Sequence, residues 1–248
     1  MIGRLALIPL LALSVAAVAQ DTAEESERKM DRFMAPVSEI GTRFKRAPET
    51  AGQAESRDMQ KRIAKCVFYR NKDDVRALLA KSDFDWIDFD ALGRDAGTFY
   101  DEIDFGECIG SAMKHSTYRM AVRMPYGTLR NLLAEEAYLK DYKQAPTISA
   151  DSATVIEDRY AFTDGGPRAQ SLALVADCLT YRDMAGVHAV LDTRPGSKGE
   201  GEAIDALGPT IMVCLEADEM PDIDTSMLRQ VIADGAWARA HYTSEAAE

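Results

Sequence analysis

Apolar residues recur at helical spacing along most of the chain beyond position 57. Ile63, Cys66 and Val67 share one face of a segment that ends near Arg70. Leu172, Val175, Ala176 and Leu179 do the same in a segment that ends near Arg182. Asn71 and Asp183 follow, both of residue types that cap helix starts, so the chain is expected to restart there as a second helix in each place. Those helices would turn Val75, Leu78 and Leu79, or Val187, Val190 and Leu191, inward. A further face is formed by Leu129, Leu132, Leu133 and Ala137, and another by Leu228, Val231, Ile232 and Ala236, with Thr128 and Thr225 placed to cap them. Only Met120–Met124 alternates, just before Pro125, which predicts one short extended piece. The pattern predicts an all-α protein.

These segments come in pairs. CVFYRNKDDVRALLA from Cys66 and CLTYRDMAGVHAVLD from Cys178 agree at six of 15 positions. LRNLLAEEAY from Leu129 and LRQVIADGAW from Leu228 share Leu, Arg and two Ala, and Glu135/Asp234 and Tyr138/Trp237 are like for like. One further cysteine, Cys108 or Cys214, lies between the blocks in each half. Two ordered blocks and matched cysteines predict a tandem duplication of a unit of about four helices. Copy one is read over 57–143 and copy two over 168–242. Residues 144–167, with Pro146, Gly165, Gly166 and Pro167, read as the linker, and 243–248 as a tail.

The chain opens with MIGRLALIPLLALSVAAVAQ, which has the parts of a secretory signal. Arg4 supplies the positive charge, Leu5–Val18 a short apolar run, and Ala17-Val18-Ala19 a small-x-small site, so cleavage after Ala19 is expected. Residues 20–56 read as a mobile charged arm with one helix around Glu24–Met34. No later segment is long or apolar enough to suggest stable membrane insertion. Export to the periplasm or beyond would suit the four cysteines, an even number that argues for disulfides. Four cysteines permit three pairings. If each copy folds as a unit, the simplest is Cys66–Cys108 with Cys178–Cys214, each bridge worth about 3–4 kcal/mol by loop closure. The formal charge of −12 excludes nucleic acid as a natural partner.

The chain resembles a group of exported helical proteins of alphaproteobacteria. Their units run Cys, a Val/Ala-x-x-Leu-Leu helix, a second Cys, then a Leu-Arg-Gly-Ala-Leu-Ala-Glu-like helix. The likeness spans about 57–142 and 168–242, departing at Asn131 and Leu132 and with Asp234 in place of Glu135. It implies a helical fold and export, with no activity attached.

Candidate chemistry is sparse. The loop from Asp83 to Asp104 holds eight carboxylates and one Arg. Asp88, Asp90 and Gly93 fit three positions of a calcium loop, but Leu92 and Phe99 stand where oxygen ligands are needed, so Asp83, Asp85, Asp88 and Asp90 are at most a weak cation site. His188 is expected on a helix surface and His241 near the tail. His115, beside Ser116 and Tyr118, is the one candidate general base, and no GxSxG, HExxH, phosphate loop or CxxC accompanies it. Tyr69, Arg70 and Arg130 recur as Tyr181, Arg182 and Arg229. They could bind an anion or acidic peptide, but Arg at a helix end also satisfies terminal carbonyls, and that structural role is preferred. The expectation is a non-catalytic binding or scaffolding protein without cofactor, partnered by a periplasmic protein or peptide. The alternative is a small hydrolase or ligand-binding enzyme using His115, Tyr118 and the acidic loop.

Overall fold

The computed structural model describes residues 51–114, 122–148 and 166–245. Helix α1 (Gln53–Arg70) is followed by α2 (Lys72–Ala80), the short α3 (Phe99–Glu102), α4 (Phe105–Met113) and α5 (Tyr126–Asp141). The second series is α6 (Pro167–Arg182), α7 (Met184–Asp192), α8 (Lys198–Leu215) and α9 (Thr225–Glu245). Among the described residues the extended pairing is limited to a single bridge between Ser82 and Ile87. Val122–Pro125 has no regular structure, and the rest of the alternating Met120–Met124 segment lies outside the described residues. So do the signal segment, the helix around Glu24–Met34, most of the 144–167 linker, and His115 with Tyr118.

The apolar faces read from the sequence are the buried ones. Ile63, Val67, Leu79, Leu179, Val187, Val190, Leu191 and Ile232 are shielded from solvent. All belong to one apolar core that runs from Met59 to Tyr242, so the two helical series share an interior. Helix α9 makes this possible by packing along both α5 and α6, while α1 packs on α4 and α5, and α8 on α6 and α7. Helix α9 lies close against α6 at Gly235, where a Cβ would lie 2.6 Å from the Cβ of Ala176.

Cysteine sulfurs meet at disulfide distance in two places, Cys66 with Cys108 and Cys178 with Cys214, with Cα separations of 5.6 and 5.8 Å. Each pair fastens the first helix of a series to the helix that carries its second cysteine, α1 to α4 and α6 to α8. The loops they close span 42 and 36 residues.

At three of the four expected caps the side chain makes no capping bond. Asp183 does cap α7, its carboxylate accepting from Gly186 N at 2.7 Å. Asn71 holds the N-cap position of α2 as expected but makes no capping bond there, its amide donating instead to Val67 O (3.1 Å) and Ile103 O (3.0 Å). Thr128 lies inside the first turn of α5, where Pro125 holds the N-cap position. At α9 the capping oxygen belongs to Asp224, which accepts from Met227 N at 2.8 Å. Thr225 accepts from Arg57 instead (3.1 Å). An aspartate one residue earlier offers a charged acceptor to a positive helix terminus and outcompetes a hydroxyl.

A candidate ligand pocket beside a buried ion network

A polar network is buried beside the apolar core. Arg229 of α9 is almost wholly buried and forms a two-pronged pair with Glu135 of α5, Nε to Oε2 at 2.9 Å and Nη2 to Oε1 at 2.7 Å. It also donates to Glu200 of α8 (3.0 Å) and to the carbonyls of Val190 (3.0 Å), Leu191 (2.6 Å) and Thr193 (2.9 Å), where α7 ends. Lys61 of α1 pairs with the same Glu135, and Arg57 with Glu200 at 2.7 Å. Burial by itself would lift the Glu135 pKa, but the charge and hydrogen bonds of Arg229, then of Lys61, outweigh it and hold the carboxyl below its ordinary range. Five helices are thereby tied together by one set of charges.

Arg130 of α5 makes the reciprocal arrangement. It pairs with Asp234 of α9 and donates from Nε to Ser82 Oγ at 2.9 Å, just beyond the end of α2. Its guanidinium also lies 5.6 Å from the Trp237 ring centre. Each arginine of the repeated Leu-Arg phrase thus meets the acid of the other phrase, five positions on. The arginines do satisfy groups at a helix end, though of a neighbouring helix rather than their own.

The other residues singled out in the sequence are dispersed. Arg70 pairs at the surface with Glu107 and Asp104, and Arg182 is exposed at the end of α6. Tyr181 is exposed, with Arg239 5.8 Å from its ring centre. His241 stacks on Trp237 at 4.9 Å. The acidic loop does not gather its carboxylates. Asp83 is fully buried and accepts from its own loop, Asp85 N and Trp86 N, both at 2.8 Å. Asp85 pairs with Arg168, and Asp88 accepts from Ala91 N at 2.9 Å. These short-range bonds set Asp83, Asp85 and Asp88 to loop geometry and an ion pair. Among the described residues no group of three or more His, Cys, Asp or Glu comes together as metal ligands would.

Tyr69 and His188 do come together, in a pocket of about 240 Å3 between α1, α5 and α7. Lys61 and Lys65 line it from α1, Glu136 and Lys140 from α5, Lys143 from just beyond, and Asp192 from α7. His188 is fixed there by a 3.0 Å hydrogen bond between its Nδ1 and the buried Tyr138 hydroxyl. Glu136 is the unusual member: its residue surface is only 5% exposed, and its Oε1 has no hydrogen-bond partner. Burial pushes its pKa up to about 7, with the Glu135 charge adding to the rise and Lys61, Lys65 and Arg229 opposing it. A wider cleft of about 410 Å3 opens at the starts of α5 and α9, but its polar lining is engaged. Asp85 is paired with Arg168, Asp224 caps α9, and Asn131 bonds Arg130 and the Phe84 carbonyl.

The fold and site define an all-helical protein with two cysteine pairs at bonding distance, a buried ion network and a lysine-rimmed pocket lined by a carboxyl with one unpartnered oxygen. Among the described residues no helix is long and apolar enough to cross a membrane. Comparison with protein-family models, with curated proteins and with solved structures finds no match.

Proposed function

We propose that this is an exported binding protein built by tandem duplication, with its ligand site in the pocket between α1, α5 and α7. The observation that carries the site is Glu136. A buried carboxyl oxygen without a partner costs about 1–3 kcal/mol, a penalty that a ligand group can relieve. The duplication is supported by the exchanged pairs Arg130–Asp234 and Arg229–Glu135 and by the matching helix order around each cysteine pair. Export is supported by the signal-like first 19 residues together with those cysteine pairs. A protein or peptide partner would be met by the exposed rim of Tyr69, Lys65 and Lys143.

Both residues that survive in the two halves and those that do not favour binding over catalysis. The shared polar residues are built into the interior, whereas the pocket is lined by residues of one half and α7 of the other. A thermal-shift panel of anionic, neutral and cationic compounds on the full chain tests the reading. A compound that raises the native melting temperature but not that of Glu136→Ala supports it. A panel in which every stabilising compound acts equally on both proteins contradicts it.

A further inference from the structure

Position by position, the second half shows how the pocket's counterpart is closed. Gly235 stands where the first half has Glu136, and its α9 backbone rests directly on Ala176 of α6. Two positions flank it: Asp177 and Arg239, which pair across α6 and α9. Their counterparts are Lys65 and Lys140, on α1 and α5. Where the second half joins two opposite charges, the first half places two like charges beside a buried carboxyl, in an open pocket. Lys61 sits on the same wall, and Lys143 on the rim.

We infer that the pocket takes a small oxyanion, a phosphate-like or carboxylate group, against Lys65 and Lys140, and that Glu136 takes up one proton as it binds. The inference rests on the binding reading above. An arriving anion completes what Asp177 supplies in the other half. Two ammonium groups offer several charge-assisted hydrogen bonds to its oxygens. The same negative charge disfavours an ionised Glu136, so the carboxyl binds a proton. The proton balance is simple: it comes from solvent and resides on Glu136. Charged and titratable groups face this carboxyl from each packed helix. They are Lys61, Lys65 and Tyr69 of α1, Glu135 and Lys140 of α5, His188 and Asp192 of α7, and Arg229 of α9.

Calorimetry on the full chain tests the inference with sulfate and succinate as probes, because both hold a fixed charge above about pH 6.5 and any pH dependence then belongs to the protein. A preference for sulfate assigns a phosphate-like ligand, and a preference for succinate a carboxylate. Affinity should rise as pH falls through the range 8.5 to 6.5, by at most about tenfold per pH unit for one proton. Titrations in two buffers of different ionisation heat should show uptake of up to one proton. In Glu136→Gln the uptake should vanish and binding at high pH should strengthen, whereas Lys65→Ala and Lys140→Ala should each weaken binding about tenfold. Proton uptake that persists in Glu136→Gln, or binding unaffected by both lysine variants, would overturn the proposal. If neither anion binds while a neutral or cationic compound is held in a Glu136-dependent way, the anion inference falls and the binding reading stands. If no compound binds in that way, both fall.

Discussion

Helices α5 and α9 begin with the same phrase and end in different surroundings. Leu129-Arg130 and Leu228-Arg229 both send an arginine into the core, and each finds the acid of the other helix. One residue after those acids the halves part. Gly235 lets α9 rest on α6, and the flanking Asp177 and Arg239 pair. Glu136 keeps a side chain at that level, with Lys65 and Lys140 lining an open pocket beside it. Identical positions thus do structural work in one half and leave a charged recess in the other. Sequence identity between the halves marks shared packing, and these mismatches mark the pocket.

The exchanged arginines give the largest expected effect. Arg229→Ala would leave Glu135 and Glu200 buried in the place of a guanidinium that joins α9 to α5, α7 and α8. It should cost about 3–5 kcal/mol in denaturant unfolding. A double-mutant cycle with Glu135→Ala should recover much of that loss, since removing both partners leaves fewer buried charges unmatched. A loss under 1 kcal/mol for Arg229→Ala would mean the network is not buried as described.

Glu136 should behave in the opposite sense. Its pKa in the folded protein, about 7, exceeds the ordinary carboxyl value, so the native state binds the proton more tightly than the unfolded state. Stability therefore falls as pH rises from about 4.5 to about 7, and the penalty is fully present above that window. Glu136→Gln should stabilise the chain by about 3 kcal/mol at pH 8, an advantage that fades on acidification and is gone below about pH 4.5. A gain independent of pH would point to packing rather than charge.

Two smaller changes exchange features between the halves. Gly235→Ala inserts a methyl group 2.6 Å from that of Ala176 and should cost about 1–3 kcal/mol, read as a lower unfolding midpoint. Gly127→Ala, whose added carbon would meet its nearest neighbour, the Phe84 carbonyl, at an ordinary 3.5 Å, serves as the control. Lys65→Asp imports the acid of the second half opposite Lys140. A half-exposed pair of this kind is worth less than about 1 kcal/mol, so stability should barely change. Affinity for anions at the pocket should drop, which separates charge recruited for a ligand from charge recruited for the fold.

Much of the fold was legible because its signals are local. Period 3.6 placed Ile63, Leu79, Leu133 and Ile232 on inward faces, and the two arginines stood out because they recur. Their partners did not stand out, since each acid lies five positions along on the other helix and only three-dimensional packing joins them. The Glu135/Asp234 equivalence was visible as a conservative pair without any hint of what it faced. Caps were misplaced where a better acceptor stood one residue away, as at Asp224 and Thr225. A capping signal was also passed over: Ser197 accepts from Glu200 N at 3.2 Å while Glu200 reaches back to Gly196 N at 2.7 Å. That turn needs its glycine, for Gly196 has φ +72° and lies against Ala54 of α1.

The pocket was the least legible part. Glu136 sits in the run Ala134-Glu135-Glu136-Ala137, where an acid reads as solvated surface. Burial all round α5, from Leu129 to Tyr138, brings it inside, and no periodicity of one helix announces that. The available signal was comparative: Glu136 against Gly235, with Lys65 and Lys140 against Asp177 and Arg239. Three linked mismatches at one level of two otherwise matched helices carry more information than any single residue there.

The most direct measurement is the titration of the Glu136 carboxyl itself, followed by carbon NMR in selectively labelled full-length protein and assigned by its loss in Glu136→Gln. The account predicts a midpoint near pH 7 in the free protein and a higher midpoint with sulfate bound. A midpoint at the ordinary value near 4.5, unmoved by sulfate, would show a solvated or already paired carboxylate and would contradict the account.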